Sequence, residues 1–185
     1  MSISLKDHRF NRLSECALTL LYHLDDIGRY LEKFTNVVNG ISILDRAFAD
    51  MEVLKPIYAA LGLLGIHILK PYHYLLMDQE TNYTTLLKAF PDLYRELKEV
   101  PPSLVMKSEQ CFNFVSADIF KRALPSQVIL DELIGCCQQY PEEIEQILFL
   151  SLKKFAHGFS YQKGAIFGFG DTANNDTGSI LKISS

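Results

Sequence analysis

The chain of 185 residues holds only four cysteines, Cys16, Cys111, Cys136 and Cys137, and no two of them form a CxxC pair. Zinc fingers need paired thiolates at short spacing and disulfide scaffolds need a dense cysteine framework, so both lose their basis. A reducing compartment suits such a set. No run of Lys and Arg occurs, and the net charge of −4 argues against a protein whose main task is gripping phosphate backbones. The opening MSISLKDHRF has neither the apolar stretch of a secretory signal nor the Arg-rich, acid-free character of a transit peptide. The expected location is the cytoplasm, with the nucleus open. No internal repeat is visible, and helices of unequal length delimited by prolines argue against a solenoid.

Catalytic patterns are equally sparse. Di-iron bundles need several inward carboxylates with paired Glu-x-x-His elements, and this chain has no such set. His23 and Asp26 share a helical face, yet a lone pair is more often a histidine beside a solvated aspartate than a ligand site. The stretch GAIFGFGD follows a helix instead of preceding one, and no Gly-Lys-Ser/Thr completes a phosphate loop. Cys136 and Cys137 are adjacent on an expected helix, so their side chains diverge by about a hundred degrees and only one should face the core. The other could be a reactive thiol, but nucleophilic catalysis would also need a histidine and an electropositive setting. No cofactor or metal is expected.

What the chain does have is apolar patterning, with 48% apolar and 22% charged residues, enough to bury the core of one domain. Phe10, Leu13, Ala17, Leu20, Leu24, Ile27, Leu31, Phe34, Val38 and Ile41 fall on an alternating three-four spacing. That ladder predicts one long helix of about nine turns with an apolar seam. A two-stranded coiled coil carries Glu and Lys beside its seam, whereas Ser14, Cys16, Leu21, His23, Gly28, Tyr30, Thr35 and Val37 stand there. The wider apolar face suits a folded-back bundle. Asp25 and Arg29 are spaced as an i,i+4 ion pair. Leu18 and Tyr22 interrupt the polar side and mark a surface for another element or a second copy.

Residues 56–69, PIYAALGLLGIHIL, are free of charge but only fourteen long, too short to cross a bilayer. They predict a helix started by Pro56, surrounded by protein, with Gly62 and Gly65 admitting a close neighbour and Pro71 kinking or ending it. A short helix is expected before it, over residues 42–54. Beyond a loop at 78–82, Pro91 either opens a second helix or lies within one kinked helix, and Pro101 with Pro102 breaks the chain. Ser108 and Ser116 are each positioned to cap a helix, and Pro125 separates the next two. Pro141, Glu142 and Glu143 open an amphipathic helix with Ile144, Ile147, Leu148, Leu152 and Phe155 inward, closed by Gly158. From residue 159 the composition turns to Gly and Asn, which suggests short extended segments at 165–169 and 180–184 joined by a flexible loop.

The expected fold is therefore an all-α, irregular bundle of about six to eight helices over residues 1–158, with a Gly-rich, partly extended or flexible extension over 159–185. The most site-like stretch is KPYHY, where His67, Tyr72, His73 and Tyr74 could line a small-molecule or lipid pocket at the kink. The competing view is a buried histidine with one hydrogen-bond partner and tyrosines at the core rim. Phe167 and Phe169 would be costly to leave in water and should dock on the bundle or on another chain. Lys121 with Arg122 and Lys153 with Lys154 form no basic stripe, which speaks against nucleic acid. The balance favours a non-enzymatic protein-interaction or scaffold module with a protein partner or a second copy, and no membrane span.

Overall fold

The computed structural model describes residues 9–34, 51–77 and 83–167. Helix α1 covers Arg9–Phe34. A second rod starts as α2, Met51–Leu64, passes through one π-helical turn at Gly65–Leu69 and finishes as α3, Lys70–Met77. There follow α4 (Tyr83–Glu99), a single turn α5 (Pro102–Val105), α6 (Ala117–Ala123), α7 (Gln127–Gln139) and α8 (Pro141–Phe167). No strand occurs among the described residues, and the chain adopts the all-α multi-helix architecture that its periodicity predicts.

Helix α1 packs along the second rod in the antiparallel sense. Lys55 reaches Asp25 at 3.0 Å while Lys70 reaches Glu15 at 3.5 Å, so the numbering falls on one rod as it rises on the other. Gly62 and Gly65 make this approach possible. A Cβ at Gly62 would overlap Leu18, and one at Gly65 would overlap the Cβ and Oγ of Ser14. The close contact turns α1 away from the expected seam. Ser14, Ala17, Leu18, Leu21, Leu24 and Leu31 are buried, whereas Leu13, which the ladder places inward, is 52% exposed. Leu18 is thus not part of a free surface. It is 3% exposed and fills the space above Gly62, meeting another element within the same chain. The Asp25–Arg29 pair is likewise displaced: Asp25 faces Lys55, and Arg29 instead binds Asp26 at 2.7 Å.

Pro56 and Pro71, read as helix boundaries, are accommodated within the second rod, and Pro91 takes the second of its two expected places, inside one helix. Pro56 lies inside α2 and Pro91 inside α4, where packing outweighs a local cost of about 3 kcal/mol. Pro71 does not end the second rod, because the preceding turn is widened. The Lys70 N–H donates to the Gly65 carbonyl five residues back, and this π turn makes room where the proline ring and its missing N–H would otherwise break the ladder. The apolar rod is consequently longer than fourteen residues. Val53–Met77, 25 residues, is long and apolar enough to cross a bilayer by length and composition, and 56% of its most apolar window is buried within the protein.

Residues 106–116 carry no helix, so Ser108 caps none. Phe112, Phe114 and Val115 turn inward instead, and the Gln110 side-chain amide donates to the Phe112 and Val115 carbonyls at 2.8 and 2.9 Å. Ser116 does cap α6, its Oγ accepting the Ile119 N–H at 3.4 Å. Both Cys136 and Cys137 are buried, against the expectation of one, because α7 is covered on separate sides by α1, α2 and α8. Gly158 does not stop α8. A Cβ there would meet open space, and the helix runs through to Phe167, so the expected extended segment at 165–169 is helical as far as Phe167. The remainder of that segment, Phe169, residues 180–184, and the parts of the expected helices at 35–50 lie outside the described residues.

Candidate functional site

The second rod passes through the centre of the molecule, and its π turn buries three consecutive side chains, Ile66, His67 and Ile68. His67 is 1% exposed and sits between the rings of Phe112 and Phe120, at 6.4 and 5.4 Å between centroids. Both of its ring nitrogens are occupied. Nε2 lies 3.0 Å from the Lys107 carbonyl oxygen, which can only accept, so Nε2 carries the proton. Nδ1 is then the acceptor for the Cys111 thiol at 3.3 Å. A neighbouring carboxylate, Glu96, is also buried and accepts the Asn113 N–H at 2.8 Å. These bonds tie the irregular segment 106–116 to α4 and to the π turn.

A cysteine beside a histidine invites comparison with a nucleophilic dyad, and the electrostatics answer against it. Burial pushes the His67 imidazole down to about 4, with the Lys107 and Val105 backbone pulling the other way. Burial pushes the Cys111 thiol up to about 12, and the charge of Glu96 adds to that. An activated pair needs the proton on nitrogen and the charge on sulfur. Here the same desolvation disfavours both charged partners, so the proton stays on Cys111. Cys136 and Cys137 are raised by burial to about 11 and about 12, which leaves them as protonated core thiols. The crevice beside His67, lined by Leu63, Met106, Leu130 and Ile134, has no space for even a water-sized sphere.

The KPYHY residues do not converge. His67 faces the 106–116 segment, Tyr72 packs its ring 5.7 Å from Phe90 of α4, and Tyr74 lies under the Arg122 guanidinium of α6 at 4.9 Å. Burial raises the Tyr72 phenol, consistent with a ring inserted between helices. His73 stacks obliquely with Tyr74 at 6.0 Å. Tyr72 and Tyr74 thus brace α3 against α4 and α6, while His67 holds the 106–116 segment. Tyr22 is exposed, its ring edge-on to that of His23 with 4.7 Å between centroids, while the Phe167 side chain lies outside the described side chains.

The open site lies elsewhere. Where α4 ends at the Pro101–Pro102 break, a groove of about 470 Å³ runs between its last turns and α8, inside the range of roughly 300–1,000 Å³ typical of binding clefts. Tyr94, Leu97 and Val100 form one wall, Pro101 and Pro102 one end, and Phe149, Leu152 and Ala156 the other wall. On α8 these positions, with Lys153 and His157, recur at helical spacing, so Phe149 extends the core stripe of Ile144, Leu148, Leu152 and Ala156 outward to the groove. Phe149 remains 45% exposed. Two ammonium groups stand at the rim on aromatic faces: Lys98 Nζ 4.1 Å from the Tyr94 ring centre and Lys153 Nζ 3.9 Å from that of Phe149. The sequence signal for this site was Phe149 with Leu150, two large apolar residues on the outward side of an otherwise amphipathic helix.

Among the described residues, every buried side-chain nitrogen and oxygen has a hydrogen-bond partner, and no group of three His, Cys, Asp or Glu side chains is placed to hold a metal ion. No known protein family matches the chain, and neither a curated protein nor a solved structure is similar to it.

Proposed function

We propose that this chain is a non-enzymatic protein-interaction module, and that the groove between α4 and α8 receives an apolar segment of a partner protein flanked by acidic residues. The groove carries the reading: it is open to solvent, mostly apolar, walled by an exposed aromatic ring, and bordered by two positioned lysines on a chain whose net charge is −4. The buried imidazole and thiol support it from the other side, since their protons sit where they serve packing and not group transfer. An apolar rod lying mostly inside the helical core fits a soluble scaffold.

Photo-crosslinking tests this reading. A benzophenone side chain at position 149 should give adducts that map to one apolar segment of a defined partner. The same probe at Val128, exposed on α7 outside the groove, should not. Indistinguishable adducts from both positions would contradict the proposal. Light scattering of the isolated chain tells whether that partner is a second copy.

A further inference from the structure

Resting on the reading that the groove holds a partner, we infer the conformation and charge of what it holds: a short amphipathic helix with apolar anchors on one face and carboxylates beside them. No strand edge is offered by the described residues, so a peptide cannot gain its backbone hydrogen bonds by adding to a sheet. A helix satisfies its own backbone and needs only an apolar trough. The α8 wall provides one from Phe149 through Leu152 to Ala156, a stripe of about 10 Å at 1.5 Å per residue, matching two turns of a guest helix, with Lys153 and His157 alongside. Ala156 is the smallest side chain of that wall, which leaves the most room there for a large anchoring side chain.

The charge of the occupant follows from the rim. Lys98 and Lys153 stand on opposite walls, each ammonium stationed over its aromatic ring, and Glu99 is the one carboxylate of the lining. A guest carrying Asp or Glu on either side of its anchors would meet a cation on both walls. A basic guest would bring like charge against both, which costs more than a neutral flank would. Lys98 and Lys153 are well exposed, so their contribution is salt-screened and lies mainly in orientation and encounter, while the anchors in the trough hold the guest.

Selection from a display library of random 16-residue peptides on the full chain, with counter-selection on Phe149→Lys, reads both features at once. Groove-dependent peptides should carry apolar residues at i, i+3 or i+4, and i+7, with an excess of Asp and Glu next to them. Their affinity should fall about tenfold on the double variant Lys98→Glu/Lys153→Glu and also with rising ionic strength. Phe149→Ala should weaken them by tenfold or more. All these positions are exposed, and unchanged far-ultraviolet circular dichroism verifies that the variants fold. Groove-dependent peptides that are neutral or basic, or that lack helical spacing, overturn this inference and leave the interaction module standing. Absence of any groove-dependent peptide overturns both. A groove that takes oleate in preference to every peptide assigns it to a small apolar anion and overturns the helix.

Discussion

His67 and Lys153 both lie against aromatic rings, yet one has both nitrogens bonded within the core and the other holds its charge toward solvent. At the centre, the π turn, Cys111 and the 106–116 segment close on one another until no water-sized space is left. At the end of α4, two prolines stop the helix and leave a trough against α8. The difference teaches that titratable residues are not by themselves the sign of a working site. Where burial holds a histidine neutral and a thiol protonated, they serve as pegs; where two lysines stand over aromatic rings beside an apolar trough, the surface has the features on which the proposed partner site rests.

The contrast breaks first at the centre. His67→Ala removes the donor to the Lys107 carbonyl and the acceptor for Cys111 and opens a cavity between two phenylalanines. Urea unfolding should show a loss of about 3–5 kcal/mol, and a loss under 1 would mean that the pegs are idle. Acid should act through the same residue. Because the folded-state value of His67 lies below its ordinary one, at about 4 against 6.5, the unfolded chain binds the proton first as pH falls. The His67 contribution is complete above pH 6.5 and is lost between 6.5 and 4, by about 3 kcal/mol. Replacing His67 by Phe should flatten that part of the stability–pH curve. An unaltered slope would assign the acid sensitivity elsewhere.

Smaller effects sharpen the comparison between tight and open packing. Gly62→Ala should destabilise by about 1–3 kcal/mol, since its Cβ collides with Leu18. Gly135→Ala at an exposed position of α7, where a Cβ meets nothing within 4 Å, should stabilise by about 0.5–1 kcal/mol. Thermal unfolding of the two variants should therefore shift in opposite directions. Smallest of all, Lys98→Glu and Lys153→Glu should each change stability by less than about 0.5 kcal/mol. A larger change in stability would make these lysines part of the fold and remove them from the rim of a binding surface.

The helical class, the long first helix and the buried second rod were legible from periodicity, and so was the close approach at Gly62 and Gly65. The rotation of α1 was not. Equal weighting of the three-four ladder places Leu13 inside and Leu18 outside, whereas the glycines of the neighbouring rod pull the Ser14 and Leu18 side inward. Prolines misled for a related reason: Pro56 and Pro71 carry a local penalty that tertiary packing or a π turn absorbs, and neither is written in the nearby residues, whereas Pro91 takes the one-helix alternative that the sequence left open. His67 was legible as a buried histidine, but its second partner, Cys111, stands 44 residues away. The groove joins α4 to α8 across a still longer separation, and only Phe149 and Leu150 hinted at it.

Hydrogen–deuterium exchange of the full chain, with and without a groove-selected peptide, tests most directly where a partner is held. Added protection confined to residues 94–102 and 149–157, with 65–69 and 106–116 unchanged, is the predicted result. Protection appearing at the π turn and the 106–116 segment, with the groove unaffected, would contradict it.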